Sequence, residues 1–168
     1  KGVELGDLAL QAPATLSFWI KTDSPQADAR ILSQLDGPPT QRGALRVNGG
    51  SLSVWNAQEW PVVVAGLSNK GIWQHVSVVF QQDGTVTGYL NGMKSQTANS
   101  TFDFMDAKAG LGSPFLGQWG TPFVGGLDDF RVYKRALSDS EIGKLCSPAL
   151  LSKAQASAAK PAEQSITS

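Results

Sequence analysis

The segment from Phe123 to Leu145, FVGGLDDFRVYKRALSDSEIGKL, leaves this chain few ways to fold. Gly125 and Gly126 lead into Leu-Asp-Asp-Phe-Arg-Val-Tyr, and a strand sets alternate residues on opposite faces. Simple alternation predicts Asp128, Phe130 and Val132 on the core face, with Leu127, Asp129, Arg131 and Tyr133 on the other. Asp128 then stands as a carboxylate at the rim of an apolar face, where it needs a cation or several backbone donors. Ser138-Asp139-Ser140-Glu141 follows, with Ser138 as N-cap and Glu141 at the third helical position. This capping box, placed ahead of Ile142 and Leu145, predicts a short helix.

The rest of the chain reads as short strands separated by turns. Thr15 to Lys21 alternates cleanly, with Leu16, Phe18 and Ile20 on one face and Ser17, Trp19 and Lys21 on the other. Arg30 to Gln34 forms the next strand, and Asp36-Gly37-Pro38-Pro39 is a turn by composition. Gly43–Asn48 and Ser51–Trp55 predict a hairpin, and Pro61–Ala65 an edge strand. Trp73–Phe80 pairs with Val86–Leu90 across Asp83-Gly84, and Asn91-Gly92 turns into Met93–Gln96. Pro114–Gln118 reads as a further strand. The total is roughly ten to twelve short strands with turns every 8–12 residues, the pattern of a sandwich or barrel. From Ser147 to Ser168 the pattern gives way to an Ala-, Ser-, Lys- and Pro-rich tail or linker.

Composition narrows the function classes. The 168 residues have room for one domain with a sizeable core, plus the tail. Fourteen basic and fourteen acidic residues cancel, so neither a nucleic-acid partner nor a solvating acidic chain is indicated. Charged residues are only 17%, against 18 glycines and 5 tryptophans, which suits an all-β extracellular module. Apolar runs fall well short of the ~18 residues a membrane span needs. Cys146 is the sole cysteine, so it is either a packed thiol or a link to another chain. A start at Lys1, with neither Met nor signal peptide, reads as a fragment of a larger protein.

The closing segment resembles that of the laminin-G-like, concanavalin A-like lectin/glucanase jelly-roll domains, through Gly126-Leu127-Asp128-Asp129-Phe130-Arg131-Val132-Tyr133 and then Arg135-Ala136-Leu137-Ser138 to Glu141-Ile142. Lys1-Gly2-Val3-Glu4-Leu5-Gly6-Asp7, Ser17-Phe18-Trp19-Ile20-Lys21, Gly71-Ile72-Trp73-Gln74-His75-Val76 and Tyr89-Leu90-Asn91-Gly92 are similar to further strands of that family. Gln74 stands where the family has a first histidine. The resemblance covers residues 1–146 and implies an all-β, two-sheet antiparallel β-sandwich with one short C-terminal helix. It also implies a secreted, cell-surface or periplasmic setting. From related hydrolases it implies a structural calcium, with Asp128 as ligand and Glu4 and the carbonyl region of Gly2 supplying further oxygens. The competing reading is that Asp128 accepts backbone N–H groups and no ion is held.

Catalysis is not indicated. The related laminarinases and agarases place two or three acids at alternate strand positions, so that a retaining pair sits ~5–5.5 Å apart on one face. Here the four glutamates, Glu4, Glu59, Glu141 and Glu163, form no such string. His75 is the lone histidine and reads as structural, with Trp73 as a core residue. Sugar binding is the leading expectation, because pyranose rings stack on exposed indoles while amides and charges bond their hydroxyls. Trp55, Trp60 and Trp119 lie outside the strand signatures, beside Asn56, Gln58, Gln118 and Thr121. Lys21, Tyr89 and Arg131 are candidates to line a sheet face. The sequence therefore predicts a non-catalytic carbohydrate-binding module of a larger protein; a protein-interaction or spacer module is the alternative.

Overall fold

The computed structural model describes residues 2–36, 44–56, 58–100, 103–104, 108–112 and 120–147. The expected turn at Asp36–Pro39 falls mostly outside these residues. The strand at Pro114–Gln118, Trp119 and nearly all of the 147–168 tail fall outside them as well.

The strands, in order, are β1 (Val3–Asp7), β2 (Leu10–Gln11), β3 (Ala14–Lys21), β4 (Gln26–Gln34), β5 (Leu45–Gly49), β6 (Ser51–Val54) and β7 (Val62–Ala65). They continue with β8 (Gln74–Phe80), β9 (Thr85–Leu90), β10 (Met93–Asn99), β11 (Asp103–Phe104), β12 (Lys108–Leu111), β13 (Thr121–Pro122) and β14 (Gly126–Tyr133), and α1 (Asp139–Leu145) closes the domain. One sheet has the order β1-β12-β4-β5-β6-β7, with β13 added in parallel beside β4. The second has the order β10-β9-β8-β3-β14, and β2 pairs with β11 in a small ribbon. This is the two-sheet antiparallel sandwich with one short helix that the family resemblance implies.

Alternation builds the core between the sheets. Leu16, Phe18 and Ile20 of β3 and Val76, Val78 and Phe80 of β8 meet Leu45 and Val47 of β5, Leu52 and Val54 of β6, and Val63 and Val64 of β7. Gly88 of β9 faces the carbonyl of Val63 so closely that a Cβ there would lie 2.1 Å from its oxygen. The sheets touch backbone to backbone at that point, which only glycine permits.

The closing strand departs from simple alternation. On β3 the register steps from Trp19 to Ser17 while on β14 it steps from Asp128 to Arg131, so β14 carries one extra residue. Asp129 takes it up with φ 50°, and the Asp128 carboxylate accepts the Asp129 N–H at 2.8 Å. A bulge of this kind switches the face of every residue on one side of it. Leu127, Phe130 and Val132 therefore all pack against the core, and Phe130 stacks on Phe18 at 5.8 Å. Asp128 is exposed, not set on the apolar face as alternation predicted.

The helix forms as its capping box dictates. Ser138 Oγ accepts the Glu141 N–H, and Glu141 accepts the Ser138 N–H at 2.9 Å. Arg135 clamps Glu141 through two bonds of 2.6 and 3.0 Å. That partner first, and the Ser138 backbone second, hold the Glu141 carboxyl down to about 2. Leu137 and Ile142 then cover Val79 and Tyr89 on the outer face of the five-stranded sheet.

Candidate functional site

On the seven-stranded sheet, the face turned away from the core carries an aromatic and charged cluster. β6 ends at Val54, and the loop back to β7 is pinned by Asn56, whose side-chain oxygen accepts the N–H groups of Gln58 and Glu59 at 3.0 and 2.8 Å. This tight turn brings Trp55 and Trp60 together at its two ends, with ring centroids 5.3 Å apart. Trp55 is anchored further by its N–H to Ala44 O at 3.0 Å and by its carbonyl, which accepts from Ser100 Oγ. Both indoles are half-buried.

Two arginines complete the cluster. Arg30 of β4 and Arg46 of β5 are cross-strand partners. Their guanidinium carbons lie 4.3 and 4.5 Å from the Trp60 ring centroid, in cation–π range. Asp28, at φ 51°, turns its carboxylate onto the same face and meets Arg46 at 2.9 Å and Arg30 at 3.2 Å. Arg30 is 5% exposed, and among the described residues its Nε and that of Arg46 have no hydrogen-bond partner. Gly120 backs the cluster: a Cβ there would lie 2.1 Å from Arg30 Nε. Burial lowers the Arg30 pKa; Asp28 opposes that shift and Arg46 adds to it.

The structure thus joins two of the three candidate tryptophans, and Trp119 lies outside the described residues. Asp28, Arg30 and Arg46 were not among the sequence candidates. Strand alternation does place Arg46, between Leu45 and Val47, away from the core, but nothing local reveals that Arg30 and Asp28 meet it.

The remaining candidates lie on the five-stranded sheet, so they do not join this cluster. Arg131, Ser17, Ser77 and Tyr89 do stand in one register row across β14, β3, β8 and β9. Tyr89, however, is 4% exposed beneath α1 and donates its hydroxyl to Asp139 at 2.6 Å, so it lines no open surface. Burial and that carboxylate push its phenol pKa up. Arg131 is exposed and paired with Asp129 at 2.8 Å. Lys21 lies 5.4 Å from the Trp73 ring centroid.

Trp73 is half-buried on the edge of Gly126, and it shares the outward parity of His75 just before β8; it is not a core residue. His75 is 3% exposed, bonded through Nε2 to Ser17 Oγ at 2.9 Å and set against Trp19 at 5.0 Å. It packs as a structural histidine.

Glu4 and Asp128, the carboxylates implied for calcium, belong to edge strands of different sheets. Glu4 faces Lys108 at 3.8 Å, and Asp128 is turned to its own bulge. Among the described residues no three His, Cys, Asp or Glu side chains group to hold a metal ion. The described side chains do not by themselves fit an ion. A groove of about 400 Å³ is lined, among the described residues, by Gln11, Gln82 and Lys134 with neighbouring Ala, Leu and Pro side chains, none of them shared with the tryptophan cluster.

Two packed antiparallel sheets closed by a bulged strand and a capped helix define a jelly-roll domain. The chain belongs to the concanavalin A-like lectin/glucanases superfamily, whose laminin-G-like model matches residues 1–143. No curated protein matches the sequence. Among solved structures, it is similar to domain 4 of AbnA, a GH43 extracellular arabinanase from Geobacillus stearothermophilus in complex with arabinotriose, with TM-score 0.68 and 19% identity over 87% of this chain and 72% of that one. A candidate carbohydrate binding protein from Bacteroides ovatus aligns with TM-score 0.66 and 19% identity over 85% of this chain and 43% of that one. The receptor binding domain of botulinum neurotoxin D aligns with TM-score 0.61 and 14% identity, over 82% and 37%. This chain thus spans less than half the length of the last two. At these identities the likeness is one of fold. Among the described residues, no helix is long and apolar enough to cross a membrane.

Proposed function

We propose that this domain is a non-catalytic carbohydrate-binding module of a larger extracellular, surface or periplasmic protein, and that it takes its glycan at the Trp55–Trp60 cluster. The observation that carries this reading is the pair of half-buried indoles 5.3 Å apart on a sheet face outside the core, bordered by charged groups. An indole face takes the apolar C–H side of a sugar ring, at about 25 cal/mol per Å² buried, and the charged border gives direction. A shallow site with few anchors binds weakly, roughly micromolar to millimolar. Among the described residues the cluster brings one carboxylate, Asp28, to two guanidinium groups, whereas glycoside hydrolysis uses two carboxyl groups. The arabinotriose complex of the arabinanase domain lends the fold a precedent for holding a sugar.

The test is a glycan-array screen followed by titration calorimetry on Trp55→Ala, Trp60→Ala and Trp119→Ala. Loss of binding in Trp55→Ala or Trp60→Ala, with no reducing ends released from any bound glycan, supports the reading. A screen without binding would favour a protein-interaction or spacer module, and turnover abolished by changing one carboxylate would make the domain an enzyme.

A further inference from the structure

The charges around Trp60 do not balance. Arg30 and Arg46 are paired positions on adjacent strands, so two cations are held side by side, and the described residues supply one carboxylate between them, Asp28. Neither site is freely hydrated: the Arg30 side chain is 6% exposed and that of Arg46 21%. Trp60 covers both guanidinium groups, and among the described residues neither Nε–H donor has a partner. A desolvated cation with incomplete compensation raises the free energy of the empty site, and a ligand anion placed against it relieves that cost. A neutral sugar cannot. Guanidinium also matches planar or tetrahedral oxyanions through parallel N–H bonds, better than any other side chain.

Resting on the carbohydrate-binding reading above, we propose that the glycan taken here is anionic: a sugar unit bearing a carboxylate or a sulfate, with that group set against Arg46 beside the Trp55–Trp60 pair. Arg46, the more exposed of the two arginines, makes the direct contact. Arg30, the more buried, lies beside it and adds field. Asp28 is the built-in competitor, because its carboxylate occupies the guanidinium edge that the ligand's oxyanion would use.

Two matched glycan pairs separate charge from backbone: polygalacturonate against its methyl ester, and dextran sulfate against dextran. Laminarin and linear arabinan serve as neutral references. The proposal expects the charged member of at least one pair to bind ten-fold or more tighter than its uncharged counterpart, and the preference to shrink as salt rises. Arg46→Gln should bring the ratio close to one, and Arg46→Lys should keep part of it.

Asp28→Asn should raise the ratio several-fold. Asn tolerates the positive φ at that position, so the fold is retained while the competing anion is removed. Because Asp28→Asn and Arg46→Gln move the preference in opposite directions, general destabilisation cannot imitate the result. Equal binding within both pairs, or a preference unchanged in Arg46→Gln, overturns the proposal. Binding to arabinan or laminarin without any charge preference overturns it and leaves the carbohydrate reading standing. Failure to bind any of the six glycans removes both.

Discussion

Arg30 and Arg46 face each other across β4 and β5 and share the carboxylate of Asp28, at 3.2 and 2.9 Å, beneath the ring of Trp60. Like charges directly opposite on a sheet repel. The pair is held by one shared anion and by an indole whose π-face accepts both cations. Trp60 is thus structural support for the two arginines as well as a surface for a ligand.

The tryptophans should separate accordingly. Trp60→Ala uncovers both arginines and should cost about 1–3 kcal/mol, while Trp55→Ala should cost less. Trp73→Ala removes a half-buried ring outside the core and should cost less than the ~3–5 kcal/mol of a buried aromatic, a figure that Phe18→Ala should reach. Urea unfolding of the four variants checks the order. Trp73→Ala as damaging as Phe18→Ala would contradict it.

Burial lowers the His75 pKa to about 4, with Asp129 pulling it up and Arg131 pushing it down. An exposed imidazole titrates near ~6.5, so between these values the unfolded chain takes up a proton that the folded chain refuses. Stability from this group is complete above ~6.5 and is lost as pH falls toward 4, by about 2 kcal/mol at pH 5. Melting curves between pH 7 and 5, above most carboxylate titrations, should show that slope in the native protein and a flatter one in His75→Gln. Identical slopes would show that His75 titrates normally.

Gly88 is irreplaceable for a steric reason. A methyl group there would meet the Val63 carbonyl at 2.1 Å, backbone against backbone, with no flexible side chain to yield. Gly88→Ala should cost at least ~1–3 kcal/mol through forced separation of the sheets. Gly49→Ala is the control, since nothing lies within 4 Å of a Cβ at that position and only its φ of +60° opposes the change. A smaller loss at Gly88 than at Gly49 would mean that the sheets are farther apart than they are here.

Calcium is open to direct measurement. With Asp128 exposed and bonded to the Asp129 N–H, Asp128→Ala should cost about 0.5–1.5 kcal/mol, and the cost should be the same with and without EDTA. A chelator-dependent drop in Tm that calcium restores and Asp128→Ala abolishes would instead establish a bound ion, since a ligand held only by the folded state stabilises it.

What the sequence determined by itself was everything carried by near neighbours along the chain. The capping box joins Ser138 and Glu141, three positions apart, and forms as the sequence predicts. The β8–β9 hairpin, the inward row of Leu16, Phe18 and Ile20, and the edge position of β7 also follow from local turns and alternation. Tertiary structure decided which outward-facing groups meet.

Asp28, Arg30, Arg46 and Trp60 come from three segments, and they converge through strand register and a bulge at Asp28 that no local pattern announces. One extra residue at Asp129 turned Leu127 inward and Asp128 outward, because a strand's side chains repeat every two residues and a single insertion reverses them. Likewise Tyr89 has the right parity to face outward, and it is buried only because α1, fifty residues later, packs over it. Local chemistry chooses the elements; the faces they finally share depend on register and on what packs across them, and these exist only once the sheets have closed.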